Sequence, residues 1–319
     1  MGKEKNIFNL KTLIAIYILI LSTQKIIKKK GKKKIIQNQD KNQPQLIILP
    51  PSSTARKNLT YCPFYTPKDK EFSQMSIKYQ DGISIIITAY KMEKYIKETL
   101  DSIARQTYFK KHDNWEIIVG VDACNKTIKY VHSIMKNYKN LRVFMMEENK
   151  GTYITTNTMM SIAKYDKLLR FDADDIMFPY LVESLINESK FYNYDRIYFK
   201  GKNFGNSNTI FWAEGQIFIK HWVFDYFGGF MPWICSADSE FIIRVDQFIN
   251  VKQINIVLFK RRIHNSNLTV QKKTGLGSKF RYWYIQYINQ VSRKIKNIND
   301  AVIIKIVGNY YEIFLNSTI

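Results

Sequence analysis

The fold of this chain is decided by one stretch, Asp166-Lys167-Leu168-Leu169-Arg170-Phe171-Asp172-Ala173-Asp174-Asp175. Its middle, Leu168 to Phe171, is predicted to be a short buried strand because it is mainly apolar and is bounded by polar residues. Three carboxylates follow at the point where this strand ends. Because ligands bind at the carboxyl ends of strands in an open α/β sheet, the stretch predicts a ligand site at a sheet edge.

The acidic end of this strand favours a metal site. Carboxylates packed this closely repel one another unless a cation neutralises them, and their oxygens suit Mg²⁺ or Mn²⁺. An ion held by one or two carboxylates usually takes its other ligands from water and substrate phosphates. The pattern therefore predicts a metal–diphosphate site, and a solvated acidic turn is the alternative.

The charge of the chain is extreme and unevenly placed. The 319 residues carry a formal net charge of +22. Residues 1–41 hold eleven lysines and two acidic residues, and residues 260–319 hold eleven Lys or Arg and two acidic residues. Such an excess suits a membrane surface, nucleic acid or nucleotide-activated substrates. The basic residues are not interleaved with aromatic residues on a predicted sheet face, which disfavours specific binding of nucleic acid.

The amino-terminal segment resembles a borderline membrane anchor. Residues 7–22 form an apolar run interrupted by Lys11, shorter than the roughly 20 apolar residues of a full span. Seven lysines follow within residues 25–34, which places this flank on the cytosolic side. We expect a membrane-associated protein whose catalytic domain faces the cytosol. A signal-peptide core, an interfacial helix, or a soluble protein with a basic leader are the alternatives.

The chain divides into four predicted segments. An anchor with its polybasic flank covers residues 1–34, and a linker rich in Gln, Asn and Pro covers residues 35–80. Residues 81–270 alternate buried strands with amphipathic helices, which predicts βαβ units, a mostly parallel sheet and the α/β class. The predicted strands include Trp115 to Val121 and Ile210 to Ile219. Residues 271–319 form a basic helical tail. The alternative enzyme class is a nucleotidyltransferase or another metal-dependent phosphotransferase. The sequence contains no G-x-x-x-x-G-K-[ST] phosphate-binding pattern, which disfavours this alternative.

The motifs between residues 83 and 269 resemble those of the family-2 glycosyltransferases, which have the GT-A fold. The resemblance covers the strand ending Thr88-Ala89-Tyr90, an L-x-S-hydrophobic-x-x-Q-T helix end, an N-x-G followed by an asparagine, and the D-x-D at Asp172. Ser236 to Arg244 is similar to the family's E-D-x-D-hydrophobic-x-x-R, and Arg262 to Ser266 to its R-x-H-x-x-S. The chain departs from the family at Val121 and Ala237, where acids are usual.

The resemblance implies an inverting transferase, of the hexosyl or N-acetylhexosaminyl class, that uses a UDP-sugar and Mn²⁺ or Mg²⁺. The implied acceptor is a glycan, lipid or protein. The implied metal ligands are Asp174, Asp172 and His264, with Asp172 also placed to face the ribose or sugar. The implied donor-binding residues are Thr88, Tyr90, Asp122, Asn149, Gly151, Asn157, Asp172 and Arg244.

The resemblance assigns the catalytic base to Asp238, because one carboxylate that takes the acceptor's proton is enough for a single displacement with inversion. Four alternatives stay open for other residues. Asp122 either contacts the uracil-type base of the nucleotide or is the N-cap of a helix. His264 is either at the metal or on the surface, and Arg244 binds either phosphate or a neighbouring carboxylate. Residues 227–233 form either a sugar-stacking platform or a packed connection. A catalytically weak nucleotide-sugar-binding protein is the alternative function.

Overall fold

The computed structural model describes residues 46–48, 79–204 and 209–292. They form one mixed sheet with helices on both faces. The strands are β1 (Leu46–Ile48), β2 (Gln80–Ala89), β3 (Trp115–Val121), β4 (Leu141–Met145), β5 (Tyr165–Asp172), β6 (Ile176–Met177), β7 (Arg196–Asn203), β8 (Ile210–Trp212), β9 (Ile217–Lys220) and β10 (Val251–Arg261). The predicted leader, residues 1–34, lies outside the described residues.

The sheet has a parallel half and a mixed half. Its order is β1-β4-β3-β2-β5-β9-β7-β10-β6, and β8 pairs with β7 beside this path. The pairs β1–β4, β4–β3, β3–β2 and β2–β5 are all parallel. Strand β9 is antiparallel to both β5 and β7, and β10 is parallel to β7. Strands β5, β7 and β10 therefore all end at the same edge of the sheet.

Seven helices cover the two faces of the sheet in the described part of the chain. They are α1 (Ile96–Ala104), α2 (Asn125–Ile134), α3 (Thr152–Ser161), α4 (Leu181–Tyr192), α5 (His221–Phe227), α6 (Ala237–Val245) and α7 (Lys279–Ser292). Apolar side chains of α1, α2 and α4 pack on one face, and those of α3, α5, α6 and α7 pack on the other. We call these the first face and the second face. The predicted strand–helix alternation is confirmed.

Three features differ from the sequence-based expectation. The predicted single strand over residues 210–219 is two strands, because Glu214 and Gly215 turn the chain between β8 and β9. Strand β1 lies within the predicted linker and pairs with the sheet edge at β4. Helix α5 was not predicted, because its seven residues are too few to show a helical period. No helix among the described residues is long and apolar enough to cross a membrane.

Candidate functional site

The carboxylate of Asp172, at the end of β5, is held by two neighbouring side chains. Nη2 of Arg170 lies 2.8 Å from Oδ1 of Asp172, and Nε2 of Gln216 donates to Oδ2 at 3.0 Å. Gln216 also donates to Oδ2 of Asp175 at 2.7 Å. Both carboxylates are thus oriented by the turn that joins β8 to β9, which was not predicted.

Arg170 is a buried cation beneath the site. Its side chain is 6% exposed, its Nη1 donates to the carbonyl of Gly215, and its Nε has no partner among the described residues. Although burial lowers its pKa, the nearby negative charges of Asp172 and Asp238 raise it above the ordinary value. Arg170 therefore remains charged and partly neutralises the acidic strand end.

Gly215 lies where three charged side chains converge. A Cβ placed on this glycine would lie 3.4 Å from Nη1 of Arg170, 3.7 Å from Oδ2 of Asp238 and 3.8 Å from Oδ2 of Asp172. The structure thus brings the predicted base to the predicted acidic strand end, although these residues are 66 positions apart in the chain. A side chain at position 215 would fill the space between them.

Asp238 lies in the first turn of α6 and is held through one oxygen. Its Oδ1 accepts hydrogen bonds from the Tyr153 hydroxyl and from the Ser239 backbone N–H, both at 3.0 Å. A carboxylate is also favoured at a helix amino terminus by the helix dipole. Because Oδ1 is occupied, Oδ2 is the oxygen that faces Gly215 and the site. This arrangement leaves one oxygen to accept a proton.

Asp174 forms a second cluster with the loop after β10. Its Oδ2 lies 2.8 Å from Nε2 of His264 and accepts from Nδ2 of Asn267 at 2.9 Å. The His264 ring is stacked on Tyr95 at 4.7 Å, so the imidazole is not a freely moving surface group. Burial and the negative charge of Asp172 raise the pKa of Asp174 above its ordinary value. A cation bound to Asp174 would offset both the burial of its carboxylate and the repulsion from Asp172.

The donor set fits a divalent ion only in part. Across residues 79–204 and 209–292, no group of three or more His, Cys, Asp or Glu side chains is arranged to hold a metal. Asp174 and His264 present one oxygen and one nitrogen next to each other, whereas the oxygens of Asp172 are bonded to Arg170 and Gln216. Two protein ligands suffice when substrate phosphates and water supply the others. Asp174 and His264 are therefore the two predicted ligands that lie next to each other, and the full set of three with Asp172 stays a prediction.

Asp122, just after β3, holds the start of α3. Its Oδ1 and Oδ2 accept from the backbone N–H groups of Lys150 and Gly151, at 2.8 and 2.9 Å. Burial raises the pKa of this carboxyl. Gly151 has a φ of 83°, a left-handed conformation that favours glycine. Asp122 thus holds the segment that leads into α3 and does not occupy the N-cap of α2, which is Cys124. Its contact with a nucleotide base stays a prediction.

The other predicted donor-binding residues lie around the ends of β2 and β4. Thr88 is half-buried, and its hydroxyl is 2.8 Å from that of Thr152 on α3. Tyr90 is 41% exposed directly after β2, and Asn149 is exposed in the segment before α3. These residues line the edge of the parallel half of the sheet, on the opposite side of β5 from β7 and β10.

Two predicted donor-binding residues are buried structural residues instead. Asn157 exchanges two hydrogen bonds with the backbone of Phe230. Arg244, 1% exposed, donates to Glu240 and to the carbonyls of Phe227 and Gly229, each at 2.7 Å. Neither side chain reaches the site. Phe227, Phe230, Met231 and Trp233 are buried in the second face, so the predicted aromatic platform is a packed connection.

Replacing Arg244 tests this structural role. The change Arg244→Met leaves the Glu240 carboxylate buried without its partner, so we expect a loss of about 3–5 kcal/mol in the free energy of unfolding. Denaturant unfolding measures the loss, and Arg105→Met at an exposed position is the matched control. The double change Arg244→Met with Glu240→Leu is expected to recover part of the stability. Nucleotide binding lost without a loss of stability would return Arg244 to the site.

Several site residues were not predicted from the sequence. They are Tyr153, Arg170, Gly215, Gln216 and Asn267. Arg170 carries a signal, because a charged residue within an apolar strand is uncommon. Tyr153 and Gln216 carry none, because only the tertiary fold brings their side chains to Asp238 and Asp172.

The chain is similar to known glycosyltransferases. Residues 84–241 match the family described as glycosyl transferase family 2. An uncharacterized glycosyltransferase of Haemophilus influenzae is 32% identical over 105 residues, covering 33% of this chain and 31% of that protein. A chondroitin synthase of Escherichia coli is 23% identical over 245 residues, covering 68% and 35%. The chain thus spans about a third of the length of these relatives.

Solved structures share the fold. The crystal structure of S. aureus TarS 1-349 in complex with UDP-GlcNAc has a TM-score of 0.58 at 15% identity, covering 72% of this chain and 73% of that one. The complex of the same protein with UDP has a TM-score of 0.52 at 17% identity, covering 65% and 69%. At these identities the likeness concerns the fold alone. The predicted GT-A fold class is confirmed.

Proposed function

Because the chain belongs to glycosyl transferase family 2, we propose that it moves a sugar from a UDP-linked donor to an acceptor hydroxyl with inversion. The observation that carries the proposal is the convergence at Gly215, where Asp238, Arg170 and Asp172 meet beside Asp174. One carboxylate free to take a proton, next to an acidic strand end, is what a single displacement requires. The proposed transferred group is a hexosyl or N-acetylhexosaminyl group.

The parallel half of the sheet is the proposed donor side. Tyr90 and Thr88 end β2, and the Asp122–Gly151 contact fixes the start of α3, whose backbone N–H groups favour an anion. The TarS complexes with UDP and UDP-GlcNAc share this fold and support a uridine nucleotide. We propose that Asp172, which is held by Arg170 and Gln216, contacts the ribose or sugar of the donor.

The chemistry follows from the orientation of Asp238. Its Oδ2 accepts the proton of the acceptor hydroxyl as that oxygen attacks the anomeric carbon, and the sugar–phosphate bond breaks on the opposite side. Tyr153 keeps Oδ1 fixed, so the base does not rotate away. Asp174 and His264 are the proposed ligands of Mn²⁺ or Mg²⁺, which would stabilise charge on the departing diphosphate. The buried Arg170 pairs with Asp172 at 2.8 Å and so fixes the orientation of that carboxylate.

We also propose that the protein is associated with a membrane and that its catalytic domain faces the cytosol. This proposal rests on the apolar run and the polybasic flank over residues 7–34, which lie outside the described residues. Loss of membrane association when residues 1–34 are removed would support it. Full retention in the membrane fraction after the same removal would contradict it.

A donor panel tests the proposed function without knowledge of the acceptor. UDP- and GDP-sugars are incubated with the full chain and Mn²⁺, and the release of nucleoside diphosphate is measured. We expect slow hydrolysis of a UDP-sugar that stops when the metal is chelated. Binding without hydrolysis would indicate a nucleotide-sugar-binding protein. Absence of both binding and hydrolysis across the panel would refute the proposal.

A further inference from the structure

A cluster of cations and aromatic rings lies on the half of the sheet away from the donor side. Nζ of Lys200 is 4.8 Å from the centre of the Trp212 ring. Lys202 and Lys260 both lie over the Phe178 ring, at 5.5 and 5.9 Å. Lys260 is also 5.8 Å from the Phe204 ring. We call the set of Lys200, Lys202, Lys260, Phe178, Phe204 and Trp212 the basic–aromatic surface.

Two lysines of this surface lie close enough to repel each other. Lys202 of β7 and Lys260 of β10 are direct partners in the register of adjacent parallel strands. Like charges directly opposite each other destabilise a sheet. Within the described part of the chain, none of the three lysines forms an ion pair with a carboxylate, whereas Arg170 and Arg262 beside the site both do. The surface therefore lacks the anion that would balance it.

Strand alternation places these lysines on the same face of the sheet as the catalytic groups. Leu169 and Phe171 of β5 and Ile197 and Phe199 of β7 belong to the core of the first face. The residues between and beyond them, Arg170, Asp172, Lys200 and Lys202, therefore point to the second face. Asp238 of α6 packs on that second face as well.

Two chain segments join the basic–aromatic surface to the site. Arg262 follows β10, lies 4.5 Å from the Phe204 ring, and donates its backbone N–H to Asp175 at 2.9 Å. On the other side, Trp212 ends β8, three residues before Gly215. Because β5, β7 and β10 end at one sheet edge, a molecule bound along this surface can extend to Asp238 without crossing the sheet.

We propose that the basic–aromatic surface binds the acceptor, and that the acceptor is a glycan bearing phosphate, sulfate or carboxylate groups. This inference rests on the proposed transfer function. The lysines pair with the anionic groups, and Trp212, the exposed ring of the three at 38%, offers a flat apolar surface to a sugar ring. Nucleic acid fits less well, because stacking of successive bases needs several exposed ring faces.

The test compares two paired lysine variants of the full chain. Lys202→Gln with Lys260→Gln removes two charges from the surface, and Lys129→Gln with Lys136→Gln removes two charges from the exposed side of the α2 region. Fluorescent dextran sulfate, carboxymethyl dextran and neutral dextran of equal length are the probes, at about 0.15 M salt. We expect the first pair to weaken binding of both anionic dextrans by roughly tenfold and the control pair to leave it near wild type.

The same proteins are titrated with an oligothymidylate of equal charge and with phosphatidylglycerol vesicles. Equal losses for the surface pair and the control pair would overturn the proposal, because binding would then reflect net charge alone. A loss confined to oligothymidylate or to vesicles would assign the surface to nucleic acid or to a membrane, and would overturn it too. Trp212→Leu is expected to weaken dextran sulfate binding while leaving its salt dependence unchanged.

Donor hydrolysis by the Lys202→Gln, Lys260→Gln pair separates this inference from the proposed function. We expect hydrolysis to water at the wild-type rate, because neither lysine touches the donor side. If the wild type fails to hydrolyse any donor, the proposed function fails, and the dextran measurements still decide what the surface binds. Strong loss of hydrolysis in the lysine pair would place these residues in the donor site and contradict the assignment.

Discussion

Transfer by the Asp238→Asn variant is expected to fall by about 10²–10⁴, the usual contribution of general base catalysis. Asparagine keeps the size of the side chain and can still accept from Tyr153 and Ser239, but it cannot take a proton at neutral pH. Because Asp238 reaches the site through Oδ2 and does not contact Asp174, donor and Mn²⁺ binding should remain near wild type. Donor binding and sugar release are measured side by side.

The control for this variant is Asp246→Asn, which changes a carboxylate in the turn directly after α6. Asp246 pairs with Arg196 and Tyr198 and does not contact the residues of the site. Its donor turnover should equal that of the wild type after correction for any loss of folded protein. Equal sugar release in Asp238→Asn and wild type would remove Asp238 from the mechanism. Equal loss of donor and metal binding would make it a metal ligand.

Replacing Asp174 with alanine is expected to lower donor turnover by about 10³-fold, the effect of several kcal/mol of stabilised charge. The change removes the carboxylate to which His264 and Asn267 are bonded, so UDP binding should also lose its Mn²⁺ dependence. The fold should persist, because β5 is held by its neighbours β2 and β9. Calorimetric titration of UDP with and without Mn²⁺ measures how far UDP binding depends on the metal.

Asp113→Ala removes the same charge from an exposed position and is the matched control. It should keep both turnover and the metal dependence of UDP binding. Unchanged turnover in Asp174→Ala would contradict the metal assignment. Loss of turnover with unchanged Mn²⁺-dependent UDP binding would move the metal elsewhere and leave Asp174 with a different role.

The parallel half of the fold could be predicted because its signals are local. Strand β3 was predicted at its observed bounds, Trp115–Val121, since mainly apolar runs of this length are typical of inner strands, and all seven residues are indeed buried. Strand β5 and its acidic end were predicted for the same reason. The turn at Gly215, between β8 and β9, was missed. The residues on both sides of this short turn are apolar, so the sequence pattern shows only a weak interruption between Ile210 and Ile219.

The site was predicted only where its residues follow a strand or begin a helix. Asp174 and Asp238 occupy such positions, and the structure brings Asp172 and Asp238 to Gly215. Asn157 and Arg244 do not take the predicted donor-binding roles, and Arg244 instead takes the alternative of pairing with a neighbouring carboxylate. Nothing in a linear pattern shows that such a polar side chain turns inward. The basic–aromatic surface was missed because β7 and β10 become neighbours only through their long-range pairing.

The most direct test of the account is the configuration of the sugar first released from a donor whose anomeric bond is α. Proton NMR of the hydrolysis reaction, recorded before the free sugar equilibrates, reads this configuration with water as the acceptor. A single displacement assisted by Asp238 predicts the β-anomer as the first product, at a rate that falls in Asp238→Asn. The α-anomer as first product would contradict the account, because it requires two displacements.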